Sequence, residues 1–461
     1  MELFRKKSVD FALEMSKGSQ LRRELGAWDL TLLGIGAIIG TGIFVLTGLG
    51  SLTAGPALTL SFIIAGLACL FAGLTYAEFA SIVPVSGSAY TYSYVTIGEF
   101  MAWIIGWDLI LEYLLAVSSV SVGWSGYFAD LVMGLGIQIP QSLLMTPIEG
   151  GIMNLPAFLI VLLITLLVSI GVKESKWVNN LIVALKLLVV VLFILVGFFY
   201  VKPDNWTPFM PFGFEGVFQA AAVIFFAFLG FDAVSTAAEE TRNPQKDLPK
   251  GILWSLAICT ILYVVTTMVM TGLVEYKLFA GHEKSPVAFA ISVTGQDWLR
   301  GLVSVGATVG MLTVMLVMLY GQVRIGYSMS RDGLLPKVFS KVNIKTRTPF
   351  INTWIFGLVA ACLGGFVSLK ELSELVNLGT LAAFVLVSIC VMILRKTQPD
   401  LPRSFRTPLV PLVPILAILF CGFLMIKLPG TSWMRFLIWL LVGLIIYFVY
   451  GYRNSELNKK K

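Results

Sequence analysis

The run Gly34-Ile-Gly-Ala-Ile-Ile-Gly-Thr-Gly42 places four glycines within nine residues in the middle of an apolar stretch. Peptide groups left unpaired in hydrocarbon cost several kcal/mol each, so an unwound segment persists there only beside a cavity or buried in protein. Amides freed at the positive end of a half-helix suit a carboxylate. The same glycines also fit close helix packing through small residues. A dinucleotide-binding loop is excluded, because no strand precedes the run and it lies inside a membrane-length apolar segment.

Three charged residues stand out in apolar surroundings. Asp108 and Glu112 are four apart in the run 98–125, hence on one helical face. Carboxylates at that depth are expensive and face a cavity or the bundle interior. Glu112 is either a hydrogen-bonded structural acid or the far end of a pocket, meeting a cationic group directly or through water. Lys186 follows Trp177 by nine residues among Ile182, Val183, Leu187 and Val190, about 13 Å along a helix. A lysine there costs at least roughly 2.5–3.5 kcal/mol on insertion scales; it either snorkels to the interface or has a task. Cys69, Cys259, Cys362, Cys390 and Cys421 are scattered in apolar runs, and His282 is the only histidine. They read as packing residues, with no metal cluster and no nucleophile–base pair.

The elements carrying these residues are membrane spans. Of 461 residues 57% are hydrophobic and 13% charged, against about a quarter charged in soluble domains. About 20 residues cross a hydrocarbon core, and twelve such runs lie near 28–49, 56–80, 98–125, 155–171, 177–200, 215–237, 250–273, 299–329, 351–368, 373–394, 408–426 and 432–451. The polar segment before the first, with Arg5, Lys6, Lys7, Lys17, Arg22 and Arg23, is too long for a cleaved signal. With the amino terminus inside, inner segments carry 25 Lys/Arg and outer ones seven, with Lys186 in a span. That bias predicts both termini in the cytoplasm and makes a nucleic-acid partner unnecessary to explain the +7 charge. The basic segment 242–250 reads as a solvated inner loop, or as a regulatory or lipid contact.

A second glycine interruption, Phe228-Leu229-Gly230, falls in the sixth run. If runs 1–5 and 6–10 are two halves of one design, their odd number makes the repeat inverted, and paired broken helices point to a transporter site. The expected organisation is an N-terminal segment 1–27, a first five-helix repeat 28–200, an inverted repeat 201–394, and two further helices with a tail at 395–461.

Ala37-Ile-Ile-Gly-Thr-Gly-Ile-Phe44 resembles the first-helix signature of the amino acid–polyamine–organocation superfamily. Pro84–Glu99, Phe225–Asp232, Glu239–Lys246, Arg324–Leu335 and Asn377–Leu381 are similar to its cationic amino acid transporter branch. The resemblance implies an all-α membrane protein of LeuT-like fold in the plasma membrane, with discontinuous helices 1 and 6 and no cofactor. The animal members carry two further terminal spans without a counterpart here.

By that resemblance a substrate carboxylate meets the amides of Gly40, Thr41 and Gly42. Its ammonium meets carbonyls near Ile38, Phe226 and Leu229, with Phe226 as gate and Ala116 beside the pocket. Glu112 and Met318 depart from the animal pattern. A methionine at 318 either packs the core or shortens the pocket, favouring alanine over arginine. Lys186 looks like the lysine that replaces a coupling sodium between helices 1 and 8. Burial disfavours its charged form, so protonation would bias the two transport states. The expected activity is sodium-independent, proton-coupled amino acid uptake. Exchange without protons and a transport-incompetent sensor remain alternatives, whereas a channel or a membrane enzyme lacks a polar pore or a reactive set.

Overall fold

The computed structural model describes residues 4–7, 24–84, 88–171, 176–346 and 348–459. Lys17, Arg22, Arg23 and part of the 84–99 motif, all used above, lie outside them. The chain is an all-helical, multi-pass membrane protein. Among the described residues, eight helices are long and apolar enough to cross a bilayer, and four shorter apolar ones complete twelve spans. Spans 2 to 5 are Leu58–Ile82, Glu99–Gly134, Leu155–Ser169 and Lys176–Phe198. Spans 7 to 10 are Pro244–Leu273, Asp297–Arg331, Phe350–Phe366 and Leu369–Thr397. Spans 11 and 12 begin with Leu412–Lys427 and Gly430–Ile446.

Spans 1 and 6 are broken, as their glycines foretold. Span 1 runs Ala27–Ile38, breaks at Ile39 and Gly40, and resumes as Thr41–Phe44 and Leu46–Ala54. Span 6 runs Gly213–Ile224, tightens to a 3₁₀ turn at Phe225–Phe228, and resumes as Ala233–Thr236. Gly230 stands at φ +107°, a left-handed conformation that a side chain makes costly.

Span 2 lies along span 7, span 3 along span 8 and span 4 along span 9, so each meets its counterpart five places on. The two broken spans meet at their breaks. A Cβ on Gly42 would collide with Ala227, and one on Gly230 would sit 3.0 Å from the carbonyl carbon of Ala37. Both glycines are therefore needed for close approach, and Gly230 for its conformation as well.

On the face that carries both chain ends, residues at the two ends interlock. Arg5 pairs with the fully buried Glu99 at 3.2 Å, and Lys7 with Asp332 at 2.6 Å. Tyr94, Tyr447 and Ser455 also donate to Glu99. On the opposite face, Gly48 and Gly126 pack tightly against the segment 283–286, which closes over spans 1 and 3.

Candidate functional site

Breaking span 1 at Ile39–Gly40 orphans the carbonyls of the preceding turn, and two side chains meet them. The fully buried Lys186 of span 5 donates from Nζ to the Gly36 oxygen at 2.7 Å. In an unbroken helix that oxygen would accept from the Gly40 amide. The lysine stem packs on span 8, where a Cβ on Gly310 would lie 2.8 Å from its Cε. Lys186 thus spans the gap between helices 1 and 8 and does not snorkel to the surface.

The second side chain is Tyr263 of span 7. Its hydroxyl lies 2.8 Å from the Ile38 oxygen and 2.8 Å from the Ala227 oxygen, so one group serves both broken spans. With a single hydrogen it donates to one of them at a time. The Ile38 carbonyl, expected to be bare, is therefore partly engaged; a second lone pair stays available. Tyr263 was missed from sequence, although a tyrosine in an apolar span must find a partner for its hydroxyl.

Past the break, Thr41 and Gly42 occupy the first positions of the resumed helix, where amides have no acceptor one turn earlier. They border a cavity between spans 1, 3, 6 and 8. Eight expected residues line it: Ile38, Gly40, Thr41, Gly42, Ala116, Phe226, Leu229 and Met318. Ala37, Val120 and Val314 complete the wall; Val120 and Val314 lie one turn from Ala116 and Met318, a spacing that could have found them. The open volume is about 10 Å³, room for about one water molecule. Phe226 and Met318, both buried, fill the remainder.

Glu112 does not line this cavity. It lies beside Thr380 of span 10, near Asp108 and Asp232, and Tyr113 donates to Asp232 at 3.2 Å. No described lysine or arginine pairs with these three buried acids. The fourfold spacing of Asp108 and Glu112 fixed their common face of span 3, but the neighbouring helices decided what that face meets.

A larger cavity of about 190 Å³ lies nearer the face of the chain ends, between spans 1, 3, 5, 6 and 8. Asp29, Asn179, Glu240 and Arg324 add polar groups to a largely apolar wall, and Arg324 pairs with Glu240 at 3.4 Å. Tyr320 and Gly321 in its wall follow Met318 by less than one turn. On the other side the small cavity is roofed: Tyr127 donates to the Phe44 carbonyl at 2.6 Å beneath the segment 283–286.

The family model described as amino acid permease matches residues 25–451. The chain is 60% identical to the branched-chain amino acid permease BcaP of Bacillus subtilis, over 99% of both chains. It is 54% identical to the methylthioribose transporter of the same organism, again over 99% of both. It is 39% identical to the vacuolar cationic amino acid transporter 2 of Arabidopsis thaliana, over 88% of this chain and 65% of the relative.

Proposed function

Because the chain belongs to the amino acid permease family of the amino acid–polyamine–organocation superfamily, and is a transporter and not an enzyme, we propose that it carries small or branched neutral amino acids by proton-coupled symport. One observation carries the preference for neutral side chains. The cavity between the two breaks is walled by aliphatic and aromatic groups, with Thr41 its only polar side chain and no carboxylate in its lining. A cationic side chain buried there would lack a counter-charge. The name of the Bacillus subtilis BcaP relative supports the same substrate class.

In this reading the amides of Gly40, Thr41 and Gly42 take the carboxylate, and carbonyls at Ile38, Phe226 and Leu229 take the ammonium. Phe226 and Met318 move aside to admit the side chain. Proton uptake at Lys186 strengthens its hold on Gly36, coupling the charge state of the lysine to the position of the broken helix. The architecture reads as LeuT-like, with repeats at 28–200 and 201–394 and helices 11 and 12 outside them. Both termini lie in the cytoplasm and the protein sits in the plasma membrane, so the larger cavity is the inner exit.

Uptake into proteoliposomes of labelled leucine, alanine and arginine, with and without an imposed pH gradient and sodium, tests this. Accumulation of leucine or alanine that follows the proton gradient and ignores sodium supports it. Counterflow without gradient-driven accumulation would make the protein an exchanger, and binding without flux a sensor. The 54% identical methylthioribose transporter favours one second reading, a neutral thioether sugar as cargo. That sugar has no carboxylate, so excess methylthioribose blocking leucine binding would argue against recognition through the amides of span 1.

A further inference from the structure

A groove of about 330 Å³ lies apart from the transport path, between the start of span 7 and the segment joining spans 10 and 11. Its walls grade from charge to hydrocarbon. Lys246, Lys250, Leu253 and Trp254 follow at i, i+4, i+7 and i+8, one stripe of span 7. The stripe covers about 12 Å of helix. Pro249 and Phe405 add apolar wall, and Ser404 donates to Gln245 at 3.3 Å across the groove.

Both lysines are exposed, and no described carboxylate pairs with either. Asp247, in the same turn, does not line the groove. At the deep end Trp254 meets Trp28 of span 1 edge-on at 5.6 Å, with 45% and 64% of their surfaces exposed. Exposed tryptophans on a membrane protein mark the headgroup level. Two unpaired cations thus stand at the watery end of a groove whose other end lies at that level.

We infer that this groove binds an anionic phospholipid, its phosphate on Lys246 and Lys250 and its upper acyl chain along Leu253, Trp254 and Phe405. Free phosphate would use only the lysines and leave the apolar wall in water. A zwitterionic lipid would bring its own cation against them. Basic pockets of this kind at helix ends recognise lipid headgroups by charge.

Native mass spectrometry of the delipidated full chain, titrated with phosphatidylglycerol or phosphatidylcholine, tests the assignment. Phosphatidylglycerol should bind roughly thirtyfold more tightly, the scale set by two lysines near a charged surface. K246Q/K250Q should remove that preference while keeping the melting temperature in phosphatidylcholine. K337Q/K341Q, which neutralises another exposed basic segment of the same face, should keep the preference. Equal binding of the two lipids, or an undiminished preference in K246Q/K250Q, overturns the proposal. So does displacement of phosphatidylglycerol by millimolar inorganic phosphate, which would reduce the site to a simple anion patch.

Discussion

Lys186 donates to the carbonyl of Gly36 at 2.7 Å, in place of the helical amide that the break at Gly40 withdrew. The break and the lysine explain each other. An orphaned carbonyl at that depth needs a donor, and a buried ammonium needs an oxygen. If this contact is where a proton acts, Lys186→Met should cut gradient-driven uptake more than tenfold while leaving substrate affinity within a few-fold. Paired flux and equilibrium-binding measurements in proteoliposomes decide it. Full activity with a sodium requirement would contradict the coupling role.

The glycines of span 1 should not be equivalent. A Cβ on Gly42 would be driven into the backbone of Ala227, whereas one on Gly40 would meet a methyl of Val314 at 3.0 Å. Backbone yields less readily than a side chain in a close-packed interior. Gly42→Ala should therefore abolish measurable transport and lower the melting temperature. Gly40→Ala should retain a measurable fraction of uptake, and Gly40→Ala/Val314→Ala should recover more.

Tyr263→Phe removes the single hydroxyl shared by Ile38 and Ala227. Leaving a buried carbonyl unmet costs about 1–3 kcal/mol. The variant should melt several degrees lower and lose transport rate in excess of its lost stability, because both breaks lose their common donor. Thermal unfolding in detergent and initial uptake rates measure the two effects separately.

Met318 should set the size limit. It lines the small cavity, whose open volume is only about 10 Å³, and its flexible thioether is well suited to fill such space. Met318→Ser should admit larger substrates, raising arginine affinity relative to alanine in equilibrium competition. Unchanged arginine affinity would place the methionine among the packing residues.

Glu112 shows where reading along the chain stopped. Its depth and its shared face with Asp108 follow from helical geometry, whereas its neighbours Asp232 of span 6 and Thr380 of span 10 come from distant parts of the chain. Tyr263 shows the converse: its hydroxyl called for a partner, but only the two broken helices brought beside it say which.

The sequence by itself determined the spans, the two interruptions and the family, since hydrophobic length, glycine density and short motifs are properties of neighbouring residues. Six of the nine residues expected around a substrate reach one cavity because they sit at or beside those interruptions, while Ala116 and Met318 are brought there by the packing of spans 3 and 8. Only the tertiary structure decided which orphaned carbonyl Lys186 would meet, which way Glu112 would face, and how little space Phe226 and Met318 leave open. Those outcomes depend on contacts between helices distant in the chain, where a shift of an ångström separates a hydrogen bond from a collision.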